Sequence, residues 1–569
     1  MKNKLRREYI SQFYHGNRIV FFLALIAALS TMVLNFGVTW VMQQMLDAVS
    51  NAPGALSLQT LGLLTIGIVL LIVFLKQVTY WTKPKFMQRA MLQYKNYAFE
   101  KLAKKSVSAF QQETVLDYLS TFSNDLNIVE KDYLEAQFTI AASCVVLFGA
   151  LLMMLSYSPI MTIIATTFCA LPVMAAILTG NQLESVTKQV SEKNAGFLAC
   201  LRDALSGFLV MKSFKAEKEI AQIIAQSNKQ VEDAKCRKEK LSTQLYTIGA
   251  VAGVIAQLGT FLVGCILARA GYPLTPGKMV AFLNLTGYFI EAVRELPALL
   301  GKRKAALVLI DTQAESLQKN MRDEGVEISS MLNEGISISH LSFAYEPQKP
   351  LFKDINYTFK AGKSYAIVGP SGSGKSTFLH LLLGSGYYKG EITYDGQELR
   401  QISSQSLYDL VSIIQQDVFV FNASIRNNIT MFKDFPVQKI NRAIALSGLS
   451  SLIKLKGDQY LCGENGINLS GGEKQRISIA RSLLRNSNVL LVDEATASLD
   501  AETAYQVINA ILDLPGMTKI IVTHTLDASV LRRYDRILTI KDGEIIESGS
   551  FDELMQKNGY FYSLYTIAQ

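Results

Sequence analysis

The sequence predicts two parts in one chain: an all-α membrane domain of six helices with long cytoplasmic helical extensions, then an α/β domain of the P-loop type. Three observations predict this. Only 18% of the 569 residues are charged against 49% hydrophobic, with mean hydropathy +0.21, whereas a soluble chain carries about 25% charged residues. The long uncharged runs all precede residue 310, and a glycine-rich phosphate-loop pattern follows it. The length exceeds one ordinary domain. This composition excludes disorder, collagen and a secreted disulfide scaffold.

Charge separates the halves further. Residues 336–569 hold 23 Lys+Arg and 23 Asp+Glu, so the net charge of +8 comes entirely from residues 1–335, with 33 and 25. The basic half is the apolar half, which suits cytoplasmic membrane loops and argues against a nucleic-acid partner. The six cysteines show neither a CxxC pair nor metal-ligand spacing, so neither zinc nor disulfides are expected.

The spans are expected at about 19–41, 56–80, 136–156, 159–180, 241–268 and 279–300. The run 19–46 is too long for a signal peptide. Ala136–Leu183 is 48 residues without a charge; as one helix it would reach roughly 70 Å against a hydrocarbon core of about 30 Å, so it must fold back, at Ser156–Pro159. The sixth span ends in Glu291, Arg294 and Glu295 at i, i+3 and i+4. These read as an intrahelical ion cluster near the interface or as part of a substrate site. Asn35, Gln257, Asn284 and Tyr288 read as helix–helix hydrogen bonders or as cavity lining.

Lys and Arg crowd residues 81–135, 184–240 and 302–304, whereas 43–59 and 156–159 have none. By the positive-inside rule the chain is a multi-pass protein of the cytoplasmic membrane, with both termini, both long loops and the second domain cytoplasmic. Met87, Met91, Tyr94, Ala98 and Leu102 recur at helical spacing, so the second span is expected to continue as an amphipathic helix. The transmembrane part is placed at 1–310, a linker at 311–335 and a nucleotide-binding domain at 336–569.

In the second half, the strand-like KSYAIVG leads into Gly369-Pro370-Ser371-Gly372-Ser373-Gly374-Lys375-Ser376-Thr377 and a helical FLHLLLG. In this strand–loop–helix context G-x-x-x-x-G-K-S marks a phosphate cradle: backbone N–H groups curl round the anion and the helix N-terminus adds its dipole. Lys375 would reach the terminal phosphates and Ser376 a Mg²⁺ ion. Val489–Glu494 reads as a buried parallel strand, with Asp493 in the Mg²⁺ shell and Glu494 able to polarise water. His524 ends another strand, where a lone histidine is more often structural. Ser470-Gly471-Gly472 opens a helix and forms a second anion site. One phosphate chain has no use for two cradles in one subunit, so each loop is expected to cap the nucleotide of a second chain.

These motifs in this order resemble the ATP-binding cassette (ABC) family, in the form of bacterial exporter-type half-transporters that include lipid flippases and multidrug pumps. The resemblance covers the whole chain. It implies an α/β P-loop ATP-binding cassette domain with ATP and Mg²⁺ as cofactors. Tyr345 would stack on adenine, Gln416 would sense Mg²⁺ and the attacking water, and Ser498–Asp500 would cross the dimer interface. His524 would be the switch histidine, catalytic with Glu494. The nucleotide site would thus comprise Tyr345, Gly369–Thr377, Gln416, Ser470, Gly471, Gly472 and Asp500, with Ser376, Gln416 and Asp493 on the metal. Cys462–Gly466 resembles the loop that touches the membrane domain in exporters, and Phe110–Asp125 and Ala204–Phe214 match coupling helices. Thr525 and Cys462 depart from the usual arginine and valine without touching the chemistry.

The resemblance implies ATP-driven export of a hydrophobic, amphiphilic or peptide-like substrate by two half-transporters, a homodimer by preference or a heterodimer, in a lipid bilayer. The rivals are an exporter-shaped importer of a metal chelate or other solute, and a regulatory ATPase without transport.

Overall fold

The computed structural model describes all residues except 1, 106, 111–112, 319–324, 347–348, 495–498 and 569, and all side chains except theirs and those of 2, 108, 116, 171–182, 184 and 568. Two compact units result: residues 1–101 with 115–317, and residues 102–114 with 318–569.

The first unit is helical. Its principal helices are α1 (Lys2–Tyr14), α2 (Arg18–Val49), α3 (Leu58–Ala103), α4 (Ala136–Tyr157), α5 (Pro159–Ser206), the short α6 (Phe208–Ser213), α7 (Glu217–Arg269) and α8 (Pro276–Gln318). Among the described residues four stretches are long and apolar enough to cross a membrane: Arg18–Val49, Leu58–Ala103, Asp117–Tyr157 and Glu217–Arg269. The expected fourth span lies in α5, where side chains 171–182 are outside the description. The expected sixth lies in α8, whose charged inner end dilutes its apolar character.

The turn from α4 to α5 has a local cause. Ser158 is extended (φ −164°, ψ 112°), its hydroxyl accepts from the Met161 N–H, and Pro159 takes the first helical position. Helices α3, α5 and α7 hold 46, 48 and 53 residues. Each is roughly 70–80 Å long and runs well beyond a 30 Å hydrocarbon core. The stripe expected on α3 is inward-facing, with Met91, Tyr94 and Ala98 buried.

Three features were not anticipated. Helix α1 is part of the core: Tyr9 and Phe13 are buried, and the Phe13 ring stacks on Tyr94 at 4.4 Å and 8°. Helix α8 runs to Gln318, so position 310 falls inside it. Ala306, Ile310, Ala314 and Leu317 continue its buried stripe, Arg6 Nε donates to Asp311 at 2.7 Å, and Tyr94 Oη donates to Gln313 at 2.9 Å. A short helix, Val107–Phe110, precedes the stretch expected at 110–125, in which a further helix begins at Val115. Residues 111–112 lie outside the description. The second expected stretch, 204–214, contains α6.

The second unit has two sheets. An antiparallel one, in order β2–β1–β4–β5, uses β1 (Gly335–Glu346), β2 (Lys349–Lys360), β4 (Lys389–Tyr394) and β5 (Gln397–Glu398). The other, in order β10–β9–β3–β8–β7–β6, uses β3 (Ser364–Val368), β6 (Val411–Ile414), β7 (Val489–Asp493), β8 (Thr518–Val522), β9 (Arg536–Lys541) and β10 (Glu544–Gly549). Strands β6 to β9 and β3 pair in parallel, and β10 closes the edge antiparallel. Every residue of β3, β7 and β8 is buried, which is why they read as largely apolar runs; the exception inside β8, Lys519, donates to the carbonyls of Leu512 and Leu514. The carboxyl ends of these three adjacent strands lead into the phosphate loop, Glu494 and His524.

Candidate functional site

The phosphate loop leaves β3 and enters α9 (Lys375–Leu382) through Gly374, which is left-handed (φ 94°). A Cβ there would lie 2.7 Å from the buried Phe352 ring, so both backbone and space demand glycine. Lys375 is buried, its ammonium donating to the carbonyls of Gly369 (3.1 Å) and Pro370 (3.0 Å). Desolvation pulls its pKa below the usual lysine value, against the opposing pull of Glu494 and Asp493. Ser373 Oγ is buried without a hydrogen-bond partner among the described residues. An orphaned hydroxyl and a self-satisfied ammonium in one glycine-rich cradle suit an incoming polyphosphate.

At the end of β7, Asp493 accepts from Ser376 Oγ at 3.0 Å. Burial raises its pKa above the ordinary aspartate value, with the Ser376 hydrogen bond opposing. Glu494 follows in a left-handed conformation (φ 48°), an uncommon state for a non-glycine residue. Its N–H donates to Val522 O at 3.2 Å, and Gln475 Nε2 donates to its carbonyl at 3.2 Å. The side chain is held from two sides: His524 Nε2 lies 2.7 Å from Oε1, and Gln416 Nε2 donates to Oε2 at 3.1 Å.

One open cavity of about 630 Å³ collects Tyr345, Ser371, Gly372, Gly374–Thr377, Gln416, Glu494 and His524. Tyr345 is 74% exposed, with its hydroxyl 3.0 Å from Thr377 Oγ1 and its ring edge-on to Phe343. A flat, solvated ring at the mouth of a phosphate cradle suits stacking on a base. Leu351 also lines this cavity; it has no motif, and only the fold brings it there. Gln475 went unnoticed in the sequence, where its second-turn position on a helix carries no signal.

The remaining expected residues lie elsewhere. Ser470 is the N-cap of α10 (Gly471–Arg485), in a capping box with Glu473: Ser470 Oγ accepts from the Glu473 N–H, and Glu473 Oε2 accepts from the Ser470 N–H at 2.7 Å. Ser470, Gly471 and Gly472 do not line the 630 Å³ cavity, nor does Asp500. Asp500 caps the helix Ala501–Leu512, accepting from the Thr503 N–H at 2.9 Å, which lowers its pKa. Ser498 lies outside the described residues. Cys462 is buried beside Asn428, and burial raises its thiol pKa.

With this geometry in view, comparison with known proteins is informative. A family model described as "ABC transporter" matches residues 352–497, and one described as "ABC transporter transmembrane region" matches 21–293. Together they span most of the chain. The ATP-dependent lipid A-core flippase of Syntrophus aciditrophicus (strain SB) is 29% identical over 84% of this chain and 80% of its own length. The flippase of the same name from Desulfotalea psychrophila (strain LSv54 / DSM 12343) is 27% identical over 99% of both. The solved structure of a bacterial Atm1-family ABC exporter with ATP bound matches 97% of this chain and 98% of its own, with TM-score 0.81 and 21% identity.

Proposed function

Because the chain belongs to the ABC transporter family, a multi-pass membrane protein that binds ATP and couples its hydrolysis to transport, we propose that it is an exporter working as a dimer of half-transporters, with an amphiphilic, hydrophobic or peptide-like substrate. One observation carries the dimer: the nucleotide cavity holds Lys375, Gln416, Glu494 and His524 but lacks Ser470–Gly472 and Asp500. A second chain, placed head to tail, supplies that missing wall. A homodimer suffices, since this chain has every motif of both halves. The flippase relatives favour export of an amphiphile, and the loop charges favour a cytoplasmic second unit in the cytoplasmic membrane.

In this reading Tyr345 stacks on adenine, and the backbone N–H groups of Gly369–Thr377 with Lys375 bind the phosphates. Mg²⁺ suits the oxygen donors at hand. The Ser376 hydroxyl, the Asp493 carboxylate and the Gln416 carbonyl would hold it, and it would neutralise phosphate charge. Among the described residues no cluster of three His, Cys, Asp or Glu side chains forms a metal site of its own, and in this proposal the nucleotide phosphates supply the other ligands. Glu494 accepts a proton from the attacking water. His524 and Gln416 orient that carboxylate, and Gln475 steadies its strained backbone. Binding closes two cassettes around two nucleotides and hydrolysis reopens them, and the membrane unit alternates between two states that the nucleotide biases differently.

The test is ATP-dependent accumulation of labelled lipids, amphiphilic drugs and short peptides in inside-out vesicles carrying this chain alone, with Glu494→Gln as the control. Accumulation of a panel member that the variant lacks supports the proposal. Uptake only into right-side-out vesicles would replace export by import, and inactivity cured by co-expressing a second half-transporter would replace the homodimer by a heterodimer.

A further inference from the structure

A cavity of about 270 Å³ opens in the first unit among α2, α4 and α8. Each helix presents one face at helical spacing: Met32, Asn35 and Phe36; Thr139, Ser143 and Val146; Tyr288, Glu291 and Glu295. The polar groups share one level. Asn35 lies fourteen residues before Val49, Ser143 fourteen before Tyr157, and Glu291 fifteen after Pro276. At 1.5 Å per residue each is roughly 21–23 Å from the same end of the bundle, inside a 30 Å hydrocarbon core.

These groups are chemically unspent. Glu291 and Glu295 form no ion pair or hydrogen bond among the described residues. The ion cluster that the i, i+3, i+4 spacing suggests is absent there, because the Arg294 guanidinium lies over the Tyr246 ring, 5.7 Å from its centroid, and does not line the cavity. Ser143 is only 8% exposed, yet its hydroxyl has no partner among the described residues. Among the described residues the Asn35 amide donates only to Met32 Sδ, at 3.8 Å. Phe36 and Tyr288 meet edge-on with centroids 6.2 Å apart. Among the described residues no Lys or Arg lines the cavity. The Glu291 carboxylate without counter-charge is costly at this depth unless a ligand or water compensates it, and Glu295, one turn further at the edge of the core, adds a second negative charge to the same cavity. Aromatic faces beside them add attraction for an organic cation.

We propose that this cavity is a binding site for amphiphilic organic cations: Glu291 and Glu295 receive the positive charge, Phe36 and Tyr288 the apolar body, and Asn35 and Ser143 any hydrogen-bonding substituent. The proposal rests on the transporter reading above and narrows its substrate to a charge class.

The test is equilibrium binding without nucleotide, by calorimetry on the full chain in lipid nanodiscs, with empty nanodiscs subtracted. The probes are tetraphenylphosphonium and the neutral triphenylphosphine oxide. The wild type is expected to prefer the cation by about tenfold or more. Glu291→Gln/Glu295→Gln should abolish that preference, and Glu291→Asp/Glu295→Asp, which keeps both charges, should retain it. Equal binding of the two probes by the wild type, or an undiminished preference in the Gln pair, overturns the proposal. Because the readout needs neither ATP nor transport, failure of export in vesicles and failure of cation binding here are separate results.

Discussion

Replacing Glu494 with Gln isolates the proton-accepting role proposed for it because the surroundings tolerate the amide. The Gln oxygen can accept from Gln416 Nε2 at the 3.1 Å position, and its NH₂ can face His524 Nε2 at the 2.7 Å position, where a neutral imidazole accepts. What is lost is the base. General-base catalysis contributes about 10²–10⁴-fold, or about 2.7–5.5 kcal/mol of barrier. His524→Ala removes one hydrogen bond to a charged group, about 1.5–3 kcal/mol. His524 is nearly half exposed, so the lower end applies, about a tenfold loss. Because His524 acts through Glu494, the double variant Glu494→Gln/His524→Ala should be no slower than Glu494→Gln alone, within about threefold. Steady-state phosphate release in nanodiscs gives the rates, and equilibrium ATP binding on the same samples checks that the cradle is intact. A loss below tenfold for Glu494→Gln, or multiplicative losses in the double variant, would refute this assignment.

Three further outcomes are expected. Gly277→Ala places a Cβ 2.2 Å from the Gln43 carbonyl and 2.5 Å from Asp47 Oδ1, which accepts from the Gly277 N–H at 3.0 Å. Backbone cannot yield as a side-chain tip does, so a loss of about 1–3 kcal/mol should appear as a lower unfolding midpoint in detergent, and an unchanged midpoint would contradict the packing of α8 on α2. Phe13→Ala removes a fully buried ring stacked on Tyr94, and about 3–5 kcal/mol of stability with it, read by the same melt; an α1 that merely floats at the surface would lose nothing. Burial raises the Asp493 pKa, so its charged form costs stability above that pKa, and the cost is relieved as pH falls through it. Mg²⁺-dependent ATP affinity should accordingly begin to fall on acidification above the usual aspartate range, about 4, and Asp493→Asn should remove that pH dependence.

Much of the nucleotide site is legible in the chain because its chemistry is local. The Gly369–Thr377 loop makes its cradle from consecutive backbone groups, and Asp493, Glu494 and His524 end strands whose apolar runs announce them. The uncharged runs are equally plain, because a bilayer demands about twenty consecutive apolar residues. Position 310 misleads because Ala314 and Leu317 extend the buried stripe of α8 through residues that are polar in between. Helix α1 is hidden because its apolar groups are few and amid charges, and their partners Tyr94 and Tyr133 lie far along the chain.

The sequence by itself points to the backbone loop proposed to hold phosphate, to the carboxylates beside it, and to a second anion-binding pattern where one nucleotide needs one. Only the tertiary structure decides that Glu494 sits left-handed between His524 and Gln416, and that Ser470 stands away from the cavity they line. It alone brings Asn35, Ser143 and Glu291 from three helices to one level. The reason is physical: a motif encodes groups that neighbours in the chain can assemble, whereas a cavity depends on the register in which distant helices pack, and no single segment carries that register.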